Sequence, residues 1–476
     1  MKQLNFINPE TALILVLLTS LLFAVIGIFY SRKYRGYSNY FTAGRKTGTL
    51  SLTSSLVASA LGAWILFGPA SAATWGGIGS VIGYSLGTAF PMIALIYLGK
   101  KIRKTFPTGI TFTQFIFHKI GKNLFKSILL LSIFYMFIFL CAEITAVAIL
   151  INYISSVPLW VTASLVIATT LIYTLYGGLR ASILTDNFQF LIIIILLLVC
   201  MYNIFSSEFI SYQDFKNNSG NLLSSKYISN YTAGLTFFIA VASTNLFHQG
   251  NWQRVFAAKN YNVLNKSLKL SFLIIIPIVF FMGITGIIAI SVDSKVNPDL
   301  AFFSILLKGK SELFYMAIII LAISLTVSTV DTLVNAISSL IEVDGKKINK
   351  NIKSSNAVVV FLSIIVFLVA SKGFSILYLF LLADLLCCAA VFPVFYGFYK
   401  RNLKERDLII SIIIGLLLGF LLFPNPDFSK SILVGILLPF DLFPQIISSS
   451  LLFCSFLLAT VGPAIVIISY DSFKRR

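Results

Sequence analysis

Apolar runs of about twenty residues, repeated along almost the whole chain, restrict its fold more than any other feature of the sequence. They fall near 10–30, 49–69, 73–98, 125–154, 159–177, 184–206, 232–250, 268–291, 311–342, 355–371, 374–398, 407–424 and 446–470. That is about thirteen spans, each long enough to cross a bilayer as a helix. A further short apolar piece lies at 429–440. Of the 476 residues 58% are hydrophobic and only 11% charged, against roughly 25% charged in soluble domains. The chain is therefore expected to be an all-α, polytopic membrane protein, a single transmembrane domain over 1–476. The connections are too short for a separate soluble fold, and no regulatory tail is expected. The first run, 11–30, is too long for a signal-peptide core and reads as a retained helix.

The net charge of +19 is explained by topology. Arg32, Lys33, Arg35, Arg45 and Lys46 follow the first span, and Lys100 to Lys122 the third. Arg254, Lys259 and Lys266 follow the seventh, Lys346, Lys347 and Lys350 the ninth, and Lys400, Arg401, Lys404 and Arg406 the eleventh. Alternate connections such as 207–231 and 291–310 are mixed or acidic. The positive-inside rule puts the N-terminus outside and the terminal Lys474, Arg475 and Arg476 in the cytoplasm. The basic residues then answer to anionic lipid and not to nucleic acid. Five scattered cysteines lack metal-ligand spacing and read as small buried side chains without disulfides, and two histidines are too few for most histidine metal sites.

One apolar run is full of oxygen. Leu325, Ser328, Thr329 and Thr332 recur at i, i+3, i+4 and i+7 and share a helical face, with Asp331 beside it. Hydroxyls and a carboxylate at membrane depth are costly unless something uses them. A small hard cation, which prefers oxygen ligands, is the simplest user.

Two spans look interrupted. Gly62, Gly68 and Pro69 break helix continuity in the second, and the seventh turns polar from Thr244 to Arg254. Five spans separate them, and paired breaks at matching positions of two halves point to a transporter's central site. Gly79, Gly83 and Gly87 form a small-residue packing face. The intramembrane acids are Glu143, Asp186, Asp331 and Asp384. Asp186 and Asp331 read as functional; Glu143 and Asp384 divide evenly between function and a satisfied buried carboxylate.

Several segments together resemble the sodium:solute symporter family, whose members carry proline, sugars, urea and sialic acid. They are FTAGR at 41–45, the Gly62 region, YTLYGGLRASILTDNFQ at 173–189, QGNWQRVFAAK at 249–259 and STVDT at 328–332, in family order across nearly the whole chain. The resemblance implies a LeuT-like five-plus-five inverted repeat, with repeats at 49–206 and 232–398, one extra helix at 10–30 and two at 407–476. Carried over residue by residue, it puts a main sodium ion on the carbonyls of Ala58, Leu61 and Leu325 and the hydroxyls of Ser328 and Thr329. A second sodium, present in some members, would take Asp186, Ser328, Asp331 and Thr332. Solute would sit in a midplane cavity with Trp64, Phe67, Ser243, Thr244, His248 and Gln249. Some proline carriers have an aspartate where this chain has Ala60, which speaks against proline.

The implied activity is sodium-coupled import of a small polar organic solute (an amino acid such as proline, urea, or a related compound) across the plasma (bacterial inner) membrane by alternating access. The alternatives are a proton-coupled carrier of the same fold, with Glu143 or Asp186 titrating, and a transporter-like sensor. An enzyme is not expected: the sequence has no His-Glu-x-x-His, no Gly-x-Ser-x-Gly and no paired acids on one loop.

Overall fold

A computed structural model describes residues 6–34, 36–207, 210–352, 354–400 and 403–473. Arg35, Arg401, Lys474, Arg475 and Arg476 of the charge pattern lie outside the described residues. The main helices run in chain order as α1 (Pro9–Lys33), α2 (Thr49–Ala60), α3 (Gly68–Thr105), α4 (Lys122–Ser155), α5 (Leu159–Phe205), α6 (Ile228–Phe247) and α7 (Gln249–Ala257). They continue as α8 (Tyr261–Val292), α9 (Glu312–Ser339), α10 (Ser355–Ala370), α11 (Ile376–Gly397), α12 (Glu405–Leu422) and α13 (Leu451–Phe473). Among the described residues no strand forms, only isolated bridges.

Eight helices among the described residues are long and apolar enough to cross a membrane on their own. That is fewer than the sequence count of spans, and the reason is physical. α5 carries two of the expected spans, 159–177 and 184–206, joined without a loop. It bends at Gly178, which takes φ +61° against the Tyr40 ring. Only glycine adopts that conformation without penalty. Gly178→Ala is expected to cost about 1–3 kcal/mol; thermal unfolding checks this, and a variant as stable as the parent contradicts it. Other expected spans fall on shorter or interrupted helices such as α2 and α10. The apolar piece at 429–440 does not become a helix. It turns back through bridges such as Pro424 to Ser431, with Ile436 and Leu437 exposed.

Sequence dictates the ends of these elements. Asn8 caps α1 by accepting the Glu10 N–H at 3.0 Å, and Pro9 opens the first turn. The outward rows of α1 (Ile14, Leu18, Val25) and α5 (Leu191, Ile195, Leu198) are apolar and exposed, as a lipid-facing surface requires. Inside, α3 packs between α6 and α8. A side chain at Gly79 or Gly83 would meet the backbone of Asn230 or Gly234 on α6, so the glycine stripe is a close-packing face. α9, buried along most of its length, packs against α2, α4 and α5. That brings the hydroxyl stripe to the first helix break.

Candidate functional site

Both interruptions seen in the sequence are real. α2 stops at Ala60, and a short 3-10 turn, Ala63–Leu66, precedes α3. α6 stops at Phe247; His248 is extended, and α7 starts at once. Each break leaves backbone groups without helical partners, and nearby side chains satisfy several of them. Glu143 on α4 accepts the Ala63 N–H at 2.8 Å, and a side chain at Gly62 would run into its carboxylate. Glu143 thus holds the first break open, which gives it a structural part. His248 Nδ1 accepts the Gly250 N–H at 3.1 Å and caps α7. The neutral imidazole then carries its proton on Nε2.

The hydroxyl stripe of α9 is fully buried. Its neighbours in the same helix bond back to their own backbone: Ser324 to Ile320 at 2.7 Å and Thr326 to Ala322 at 2.8 Å. Ser328 instead donates across to Asp186 Oδ1 at 2.6 Å. The Thr329 hydroxyl is buried with no hydrogen-bond partner. A buried hydroxyl without a partner carries the desolvation penalty of an unmade bond. Facing α9, the last turn of α2 ends in carbonyls beyond the reach of intrahelical donors. The Ala60 carbonyl is used by the Trp64 indole N–H at 3.1 Å. Ala58 and Leu61 at the end of α2 are fully buried, and so is Leu325 on α9. Carbonyl and hydroxyl oxygens are the kind of donor that a hard cation takes. Among the described residues no group of three His, Cys, Asp or Glu side chains could hold a metal ion.

The second set, Asp186, Ser328, Asp331 and Thr332, is also together, but a cation already lies within it. Arg254 is fully buried, with Nη2 2.8 Å from Asp186 Oδ2 and 2.8 Å from Thr332 Oγ1. Its Nε donates to Ser55 Oγ at 2.8 Å and Nη1 to the Gly250 carbonyl at 3.1 Å. Ser55 in turn donates to Asp186 Oδ2 at 2.5 Å. Counting Arg254 among the loop charges after the seventh span is therefore a misreading. α7 turns it inward to meet the acid, leaving Lys259 and Lys266 as the surface charges there. Asp331 is held by hydroxyls: Tyr173 at 2.7 Å, Ser182 at 2.9 Å and Thr185 at 3.3 Å.

The residues expected at the solute site divide. Trp64, Thr244 and His248 line one narrow cavity with Tyr84, Phe380 and Asp384. About 30 Å³ of it is free, space for little more than a water, so it is too narrow for an organic solute in this conformation. Phe67 packs on Phe303 at 5.0 Å, and Ser243 lies against Cys388. Gln249 faces elsewhere: its amide accepts the Phe112 N–H at 3.0 Å and donates to the Ile110 carbonyl at 3.2 Å. Tyr84, Phe139 and Phe380 were missed because single aromatics in apolar spans carry no local signal. Arg254 had one: Asp186 at membrane depth requires a partner.

Comparison with known proteins places these features. The profile of the sodium:solute symporter family matches residues 40–384. The chain is 26% identical over 404 residues to the spermidine transporter DUR31 of Candida albicans, covering 83% of this chain and 77% of that one. It is 29% identical over 205 residues to the sodium/glucose cotransporter 4 of Danio rerio, covering 40% of this chain and 30% of that one. A sodium-coupled sialic acid symporter, solved substrate-bound and outward-open, superposes with TM-score 0.68 at 15% identity over 95% of this chain and 97% of that one. Mhp1, a nucleobase-cation-symport-1 family transporter, does so with TM-score 0.55 at 15% identity over 91% and 96%. The fold is thus LeuT-like. The chain belongs to the sodium:solute symporter family and is a multi-pass membrane solute transporter, not an enzyme.

Proposed function

We propose that the chain is a sodium-coupled symporter that imports a small polar organic solute across the plasma (bacterial inner) membrane by alternating access. The observation that carries this is the buried, unpartnered Thr329 hydroxyl beside Ser328, opposite the end of α2. Sodium binds Ser328, Thr329 and the carbonyls of Leu325, Ala58 and Leu61. It thereby joins α9 to the first break and favours the state open to the outside. A ligand shifts such an equilibrium only by its differential affinity for the two states, and an ion seated between two moving elements has that property. The membrane potential adds about 2.3 kcal/mol per charge per 100 mV, enough for useful accumulation with one ion.

In this reading the repeats run over 49–206 and 232–398. The N-terminus is outside, and the densely basic connections face the cytoplasm. Solute binds at the narrow cavity between the breaks, against Trp64, Thr244 and His248. The relatives whose names mention spermidine and glucose differ in chemistry, so likeness alone does not choose the solute. We assign one coupling ion, because Arg254 already supplies the positive charge among Asp186, Ser328 and Thr332. Titrating sodium against the thermal stability of the purified protein tests both points. Sodium, and not potassium, is expected to stabilise it, with a Hill coefficient of about 1. Equal stabilisation by potassium removes the sodium site, and a coefficient of about 2 restores a second ion.

A further inference from the structure

We infer that the solute is an organic cation, an alkylammonium whose charged nitrogen is held by Asp384 inside a cage of aromatic rings. This rests on the reading of the chain as a symporter. Asp384 lies on α11, buried, one helical turn beyond Phe380 and on the same face. One carboxylate oxygen accepts the Thr244 hydroxyl at 2.6 Å. No donor among the described residues reaches the other oxygen, and no Lys or Arg pairs with Asp384 there. Asp186, likewise buried, has Arg254; Asp384 has an opening onto the cavity instead. A buried carboxylate left without a counter-charge is strongly unfavourable, and a cationic solute supplies that charge.

The cavity walls fit the same ligand. Trp64 stacks on Tyr84 at 5.5 Å between centroids, Phe380 meets Trp64 at 6.5 Å, and Phe139 meets Phe380 at 4.7 Å. Aromatic faces attract ammonium groups, most strongly where water is excluded. With its indole N–H bonded to Ala60, Trp64 offers the cavity its ring. A zwitterionic amino acid would bring a carboxylate into a lining that contains no Lys or Arg.

The approach to the cavity carries the same signature. A larger cavity of about 450 Å³, lined by Trp75, Asp299 and Asp427, opens at the outer end of the proposed orientation. A ladder of rings joins the two: Trp75 to Phe237 at 5.8 Å, Phe237 to Tyr84 at 4.7 Å, and Tyr84 to Trp64. The protein has 36 Lys and Arg against 17 Asp and Glu. Yet the outer lining holds Asp299 and Asp427 and the inner one Asp384, and neither holds a Lys or Arg among the described residues. Clefts lined by one sign of charge concentrate ligands of the other.

The test is thermal unfolding of the purified full chain in sodium, with 1,4-diaminobutane, n-butylamine, uncharged 1,4-butanediol, proline, urea and glucose as probes. The amines are expected to raise the unfolding temperature in a concentration-dependent way, and the diol is not. Asp384→Asn should weaken amine binding at least about 30-fold while Asp384→Glu retains part of it. The stabilisation by sodium alone, unchanged in Asp384→Asn, shows that this variant is folded. Phe380→Leu should weaken amine binding about fivefold. Stabilisation by proline, urea or glucose with none by the amines overturns the cationic solute and leaves sodium symport standing. A panel in which no amine stabilises overturns it too, as does equal amine affinity in Asp384→Asn. Amine binding of equal strength with sodium replaced by potassium supports the cationic solute and contradicts sodium coupling.

Discussion

Thr329→Ala is expected to raise the sodium concentration for half-maximal uptake by about tenfold to a hundredfold. The Thr329 hydroxyl is buried without a partner, so its removal breaks no bond within the protein. The change also deletes the buried γ-methyl, which costs about 1 kcal/mol of packing, but no hydrogen bond within the protein is lost and the ion loses a ligand. Ser328→Ala is a harsher change. Ser328 also donates to Asp186, so its loss weakens both the ion site and the buried acid's shell. The two variants separate: Ser328→Ala lowers sodium affinity and also strips the buried Asp186 of a hydrogen bond, whereas Thr329→Ala lowers sodium affinity at only a small packing cost. Uptake measured against sodium at fixed membrane potential checks this. An unchanged sodium requirement in Thr329→Ala moves the ion elsewhere.

The largest loss of stability is expected from Arg254→Ala, about 3–5 kcal/mol. The guanidinium joins four elements: Asp186 on α5, Ser55 on α2, Thr332 on α9 and the Gly250 carbonyl of its own α7. Deleting it leaves the Asp186 carboxylate buried with two hydroxyl donors and no counter-charge. Removing both charges together, as Arg254→Leu with Asp186→Leu, is expected to restore much of the loss, because well-packed apolar pairs often match buried ion pairs. Thermal unfolding of the single and double variants checks this. A double variant as unstable as the summed singles shows that the two side chains do not act as a pair.

The contrast between these residues shows what the sequence reveals. Ser328, Thr329 and Thr332 repeat at helical spacing inside an apolar run, so their shared face is readable without a structure. The break at Gly62 is equally plain, because glycines and a proline interrupt an apolar run. Arg254 is opaque for a geometric reason. It ends a polar stretch that looks like the start of a loop, but α7 continues past His248 and directs that stretch inward. Glu143, which in sequence divides evenly between function and a satisfied buried carboxylate, gives the Ala63 N–H an acceptor at the first break. The aromatic cage is assembled from α3, α4, α11 and the broken second span. No local pattern announces contacts between residues so far apart in the chain. The junction within α5 is half-legible: paired glycines mark it, but only the left-handed φ of Gly178 shows a bend without a loop.

The most direct test is solute uptake into proteoliposomes containing the purified chain, driven by an inward sodium gradient and compared with an equal potassium gradient at the same membrane potential. The solutes are presented in parallel and include 1,4-diaminobutane, proline, urea and glucose. The sodium gradient is expected to drive accumulation of at least one of them above its external concentration, with Thr329→Ala shifting the response to higher sodium. Accumulation of equal extent under the potassium gradient would contradict sodium coupling at Ser328 and Thr329.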